Sequence, residues 1–470
     1  MVEILDLRAQ FAAGRVPFKF RNSRLALGLV VCAALIEVGL LLILDLSRPA
    51  SRVPEFILHY LLTSLVYLTA CWLVTQGGEA FSSARTMRLV WGAALVFRLT
   101  VLPLQPSLSE DAARYRWQGM VQHAGGDPYT ATPGDPAWGG LRDATWPRIA
   151  GPEKPSAYGP VIEQLNLWHF RNVSALASNP LRQVWLFKLP FALADLAVGW
   201  ALLGLLSAVG RPKAWVLIYL WSPLAVTEFW IEGHNDSLAL FFAVVALALA
   251  ARQRPVGALA ALAVAAMCKF WPAVLYPFLL FGRRKGRWQF EWKGAFASLM
   301  VLAALCLPYW RSISAVFATL GGFVGGWRNN DSLFAAFLEL TGGDMLAAAA
   351  LAQFALALAI IASRWLPLPP VAGETAAICA VLLVSANCLP WYLTWMVPFL
   401  AVHPSPPLLL WTALVSLAYH VVPGYEALGI WEYDRVLVRL EYAPVLLWLG
   451  VTVARGMFRN LPRIAVRGSG

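Results

Sequence analysis

Charge is scarce in this chain. Asp, Glu, Lys and Arg make up 13% of its 470 residues and apolar types 59%, so a water-soluble fold would leave far too much apolar surface exposed. No Cys-x-x-Cys occurs. Cys32, Cys71, Cys268, Cys306, Cys379 and Cys388 are scattered through apolar stretches, which excludes a disulfide framework or a cysteine zinc site and leaves them as small core residues. Neither a short internal repeat nor a low-complexity tail is present, so residues 1–470 read as a single membrane domain. The first apolar run lacks a small-residue cleavage site and is too long for a signal peptide, so it reads as a retained helix.

What the chain has in abundance is long apolar runs. Stretches such as "LALGLVVCAALIEVGLLLIL" and "SLALFFAVVALALAA" are continuously apolar, unlike the alternating strands of a barrel. The expected fold is an all-α polytopic membrane protein with about fourteen transmembrane or re-entrant helices, in the range of about 11–14. Prolines and polar groups interrupt "CKFWPAVLYPFLL" and "NCLPWYLTWMVPFL", which are expected to be broken or re-entrant.

The formal net charge of +11 reads as a topological signal, and no nucleic-acid partner is expected. Its cations recur in short segments at alternate ends of the runs: Arg8, Arg15, Lys19, Arg21 and Arg24; Arg85 and Arg88; Arg211 and Lys213; Arg252 and Arg254; "GRRKGR"; then Arg455, Arg459, Arg463 and Arg467. By the positive-inside rule that side is cytoplasmic, with both termini inside. The opposite side carries carboxylates, histidine, asparagine and aromatics, most densely in the loop at 105–182 and also in "IEGHNDSL", Lys269, "WRNNDSLF" and "LPWYLTW". Function is therefore expected on the extracytoplasmic face, in a bilayer that is itself a partner. Glycosylation sequons at Asn235 and Asn330 would face outward beside that site, which favours a bacterial inner (plasma) membrane.

The segment "SEDAARYRWQG", residues 109–119, opens a helix in which Asp111, Arg114 and Tyr115 share one face. An aspartate there suits a proton acceptor beside an anion site. The plainer alternative is a helix cap, with Ser109 or Asp111 accepting first-turn amide hydrogens. Glu110 points about 100° away and cannot address the same atom.

The pattern S-x-D-x-x-R-Y-x-W-x-G, followed by G-x-x-P-Y, places Ser109, Asp111, Arg114, Tyr115, Trp117, Gly119, Gly125, Pro128 and Tyr129 in register with a known family. It resembles the first extracytoplasmic loop of GT-C class, polyprenyl-phosphate-sugar-dependent glycosyltransferases, most of all bacterial polytopic mannosyltransferases. "IEGHNDSL", "CKFWP" and "LPWYLTW" are similar to further motifs of that family, with a Gly-His-x-Asp, a Lys-x-x-Pro and a Pro-Trp-Tyr segment. The resemblance implies inverting transfer of a hexose, with mannose foremost, from a polyprenyl-phosphate donor to a hydroxyl on a glycolipid, glycan or protein acceptor in cell-envelope synthesis. No cofactor and no metal are implied.

In that reading Asp111 is the catalytic base, while Arg114, Lys269 and His234 pair with the donor phosphate. Tyr115, Trp117, Tyr158, Asp236, Trp391 and Tyr392 contact substrate. Three alternatives stand beside these roles: His234 and Asp236 as metal ligands or a helix-start pair, Lys269 as a lysine that snorkels to the interface, and most of the 22 tryptophans as interfacial belt. The rival function is a lipid or glycan transporter or flippase, which would place charges in mid-membrane. Interior charges here are few: Arg98, Asp195 and Glu228.

Overall fold

The structure is a computed structural model that describes residues 18–149, 151–284, 287–366 and 368–459. It is an all-α polytopic membrane protein. The first three helices are α1 (Phe18–Asp45), α2 (Val53–Gly77) and α3 (Ala84–Val101), followed by the loop helices α4 (Asp111–His123) and α5 (Pro160–Leu176). Next come α6 (Pro180–Phe187), α7 (Leu189–Ala208), α8 (Leu217–Leu220), α9 (Pro223–Val226), α10 (Asp236–Ala251), α11 (Pro255–Cys268) and α12 (Tyr276–Leu280). After a hairpin the chain continues through α13 (Trp292–Cys306), α14 (Ile313–Gly326), α15 (Leu333–Leu340), α16 (Met345–Trp365), α17 (Ala372–Val384), α18 (Val397–Leu400), α19 (Pro406–Leu414), α20 (Val422–Leu428) and α21 (Arg435–Arg459).

Among the described residues seven helices are long and apolar enough to cross a membrane. The pair Lys213–Leu220 and Pro223–Ile231, bent by 55°, meets the same test as one unit, as a broken span or a re-entrant loop. Leu62, Leu193, Phe296, Leu299, Leu358 and Leu447 stand exposed on such helices, the arrangement that lipid contact requires and water forbids.

Hydrogen bonds sort the connections between helices into two ends. At one end Arg211 donates to His403 (3.1 Å), His403 contacts the Pro370 carbonyl (2.6 Å) and Arg252 donates to the Gly204 carbonyl (2.8 Å). Arg364 there reaches the Phe281 carbonyl, in the two-stranded hairpin of β1 (Phe281–Arg284) and β2 (Arg287–Phe290). At the other end Lys188 donates to the Leu102 carbonyl (2.7 Å), Tyr425 to Glu110 (3.1 Å), Tyr309 to Gln122 (2.8 Å) and Asn329 to Asn387 (2.6 Å).

Among the described residues the seven spans, the bent pair and four shorter apolar helices account for twelve of the fourteen apolar runs of the sequence reading. Not all are full-length helices. Asp236–Ala251, Pro255–Cys268, Trp271–Leu280 and Ala372–Val384 are shorter. The two segments expected to be broken are tight 3-10 turns joined to short helices, at Trp271–Leu275 with α12 and Pro390–Trp395 with α18, where Pro272, Pro277, Pro390 and Pro398 remove the amides a straight helix needs. The basic residues Arg8, Arg15, Arg463 and Arg467, and with them the placement of the two termini, lie outside the described residues.

The 105–182 segment builds a small core of its own. Trp117, Ala112, Ala113 and Val121 of α4 pack with Ala131, Ile149 and Val184, and Gly119 lets α4 cross α5 closely, since a Cβ there would stand 2.3 Å from the Asn166 carbonyl oxygen. Arg116 ties the middle of the loop down by donating to Gln183 (2.7 Å), Thr145 (2.9 Å) and Asp143 (2.7 Å).

Candidate active site

The acidic loop enters α4 held by another carboxylate. Both oxygens of Glu232 accept from the Ser107 amide, and Oε2 also accepts from Leu108 (3.0 Å) and Ser109 (3.0 Å). Glu232 follows a π turn at Thr227–Ile231, in which the Glu232 amide donates to the Thr227 carbonyl at 3.0 Å. Gly233, at φ +75°, then turns the chain back toward α10, and a Cβ there would collide with Lys188. This junction carries His234, Asn235 and Asp236 to the start of α10, directly under the start of α4.

Asp111 is the first residue of α4, and the N-cap Glu110 makes no side-chain capping bond. The two carboxylates diverge: Glu110 accepts from Tyr425, while Asp111 Oδ2 lies 3.3 Å from His234 Nδ1 and accepts from Tyr115 at 3.3 Å. Asp111 is 24% exposed and His234 fully buried. Burial pushes the Asp111 carboxyl up, but the His234 hydrogen bond and charge, with Lys269 and Tyr115 behind them, bring it below the ordinary carboxylate value. For His234, burial favours the neutral ring, and Asp111 and the carboxylates of Glu228 and Asp236 outweigh it, raising its pKa. Asp111 is therefore held ionised.

A second pair adjoins the first. Lys269, at the C-terminal end of α11, donates to Asp236 Oδ2 at 2.6 Å, with Asn235 Oδ1 at 3.5 Å. Trp395 donates to the other Asp236 oxygen at 2.5 Å. Trp391 lies flat on the His234 ring, with centroids 4.2 Å apart and planes 17° apart. Tyr392 stacks on Trp395 at 4.6 Å, beneath the Lys269 ammonium at 5.2 Å. Tyr158 meets Tyr115 edge-on at 5.1 Å.

Eight of the residues singled out from the sequence thus converge: Asp111, Tyr115, Tyr158, His234, Asp236, Lys269, Trp391 and Tyr392. Two stand apart. Arg114 turns to the chain at 151–155, donating to the carbonyls of Gly151 (3.1 Å), Pro155 (3.0 Å) and Lys154, and Trp117 is buried in the core of the loop. Asn235 and Asn330 are buried too, at 1% and 2% exposure, so neither is an accessible glycosylation acceptor and the argument drawn from them for a bacterial host falls away. Sequence reasoning missed Glu232 and Trp395 as supports. Both lie inside stretches already noticed, "IEGHNDSL" and "LPWYLTW", where nothing in the spacing singled them out.

Among the described residues no group of three or more His, Cys, Asp or Glu side chains is arranged to hold a metal ion.

Comparison with known families decides the broad chemistry. The profile of the MptA_B family, described as alpha-(1->6)-mannopyranosyltransferase, N-terminal domain, matches residues 24–282, more than half of the chain. The chain belongs to this mannopyranosyltransferase family. No curated protein and no solved structure matches it. The matched part includes Asp111, His234, Asp236 and Lys269, whereas Trp391 and Tyr392 reach the candidate site from beyond it. Mannosyl transfer by a membrane-embedded protein, between a sugar donor and an acceptor, is thus its family-level activity.

Proposed function

We propose that this protein transfers mannose from a polyprenyl-phosphate donor to an acceptor hydroxyl, with inversion, at the extracytoplasmic face of its membrane. The observation that carries the reading is the partly exposed Asp111, 3.3 Å from His234, with the Lys269–Asp236 ion pair adjoining it at one end of the bundle. An inverting transfer needs a single base to take the acceptor proton as its oxygen attacks the anomeric carbon. The leaving phosphate keeps the electron pair and carries its own charge, so it needs a cation and no acid. An α-linked product, as in the family's description, formed with inversion implies a β-linked donor.

Lys269 is 15% exposed on its side chain and has three N–H donors. Asp236 and Asn235 face it from one side, and the donor phosphate takes a remaining donor. Arg114 acts at one remove, by shaping the chain at 151–155. We read residues 1–470 as one catalytic membrane domain with its catalytic loop at 105–182.

A lipid-linked donor also suits the depth of the site. With 16 and 14 residues, α10 and α11 are about 24 Å and about 21 Å long, shorter than the roughly 30 Å hydrocarbon core. If the basic end lies at the cytoplasmic interface, Asp236 and Lys269 sit several ångströms below the opposite one, within reach of a lipid phosphate. Two of the interior charges are engaged with each other. Arg98 and Asp195 close on each other at 2.6 Å, fully buried, with Tyr219 and Trp230 also donating to Asp195. The test is donor choice by purified protein in bilayers: polyprenyl-phosphate mannose supports transfer to a glycolipid pool and a soluble nucleotide mannose does not. The reverse preference sinks the reading.

A further inference from the structure

We propose that Glu228 is a positioning residue of this site, holding His234 in the orientation and charge state with which it supports Asp111. The inference rests on the transfer reaction proposed above.

The geometry brackets one imidazole between two carboxylates. His234 Nδ1 faces Asp111 Oδ2 at 3.3 Å and Nε2 faces Glu228 Oε2 at 3.4 Å. Only a protonated ring offers an N–H to both. Ser109 Oγ also stands 3.3 Å from Nε2, and Trp391 covers a face of the ring. His234 and Glu228 are both fully buried, so no water screens their charges. Tyr419 donates to Glu228 Oε1 at 2.5 Å. Oε2 makes no aligned hydrogen bond and looks at the ring.

The backbone is built for this contact. Glu228 lies within the π turn, and the His234 amide donates to the Glu228 carbonyl at 2.9 Å, folding the two residues against each other. Single π turns inside helices are rare and recur at functional sites. The other carboxylates near the ring are engaged elsewhere: Glu232 holds the amides of residues 107–109, and Asp236 is bound by Lys269 and Trp395. Glu228 alone among them turns an unengaged oxygen to Nε2.

In the transfer step the acceptor proton passes to Asp111, the acceptor oxygen bonds to the anomeric carbon, and the bond to the donor phosphate breaks with its electrons on the phosphate. Glu228 takes no proton in that step. Where Glu228 is ionised its carboxylate favours the imidazolium form of His234, and the imidazolium keeps Asp111 ionised and aimed. Charge, not shape alone, is what the role needs.

The test follows the His234 imidazole by NMR in histidine-labelled protein, assigned with His234→Gln, alongside pH–rate profiles for the parent, Glu228→Gln and Glu228→Asp. In Glu228→Gln the His234 midpoint and the alkaline limb of the rate should fall together, by about one pH unit or more. The kcat should drop on the order of 10²-fold with KM for donor unchanged. Glu228→Asp, which keeps the charge, should restore most of the midpoint. A midpoint that stays put in Glu228→Gln, or a lost rate with both limbs in place, overturns the proposal. If Glu228→Gln does not fold, the withdrawn carboxylate of Glu228→Asp should still displace the midpoint part of the way, and an unmoved one overturns it. No transfer by the parent would refute the proposed reaction instead, while the midpoint, read without turnover, still decides whether Glu228 sets the charge of His234.

Discussion

Lys269 and Asp236 form an ion pair of 2.6 Å where the end of α11 meets the start of α10. The pair holds a cation at the rim of the site while leaving its side chain 15% exposed. A lysine that merely snorkels would have its ammonium in water with no carboxylate beneath it. Lys269→Ala should weaken binding of polyprenyl phosphate, the product that keeps the charge, by about 1.5–3 kcal/mol, the contribution of a charged hydrogen bond. Lys269→Arg should recover only part, because a planar fork cannot place its charge where a compact ammonium did. Unchanged product affinity in both variants removes Lys269 from the donor site.

Arg114 gives a contrasting expectation. Its guanidinium binds backbone carbonyls of residues 151–155, so Arg114→Ala should expose that segment to proteases and lower kcat while product-lipid affinity stays near the parent's. A loss of affinity equal to that of Lys269→Ala would instead put the arginine on the phosphate.

The pH dependence follows from Asp111. Its pKa is depressed in the folded protein because His234 and Lys269 outweigh burial, so the carboxylate persists above that lowered value and is lost only as pH falls through it. The acid limb of the parent should therefore lie below about 3.9, the unperturbed value. In His234→Gln burial remains and the opposing charge is gone, so the limb should move to higher pH. A limb shifted lower, or not at all, contradicts the assigned pairing.

The alternation of cations predicts sidedness. Ala124 and Arg254 are both exposed, at opposite ends of the bundle, and five of the six native cysteines are buried. In intact cells a membrane-impermeant thiol reagent should label Ala124→Cys and spare Arg254→Cys. Labelling in the reverse sense would place the acidic loop in the cytoplasm and make a nucleotide-sugar donor plausible.

The buried pair Arg98–Asp195 is a structural staple. Arg98→Met leaves Asp195 uncompensated and should cost about 3–5 kcal/mol of stability, read as a lower thermal midpoint in detergent. The Arg98→Met, Asp195→Asn double variant should regain part of it. Export of a lipid or glycan that fails in Arg98→Met at full stability would point to a transport role for the pair.

The sequence made the membrane class and the convergent motifs legible, because apolar length and the Asp111, His234 and Lys269 segments are local patterns. It did not show where a long side chain turns. Arg114 shares a helix face with Asp111, yet the carbonyls of residues 151–155, some forty positions on, claim its guanidinium. Trp117 was assigned to substrate for its ring and is instead the centre of the loop core. Glu228 read as a stray interior charge, because the π turn that faces it to His234 leaves no mark in apolar periodicity. The hairpin at 281–290 was likewise hidden behind its basic composition.

The central claim is that Asp111 is the base of a lipid-linked mannosyl transfer, and the most direct measurement is turnover of purified Asp111→Asn in bilayers with polyprenyl-phosphate mannose. Asparagine keeps the shape and removes the proton acceptor, so kcat should fall by on the order of 10²–10⁴-fold while product-lipid affinity and expression stay near the parent's. Glu110→Gln, whose carboxyl faces Tyr425, should be far milder. Near-normal turnover by Asp111→Asn, with the parent active, would contradict the account.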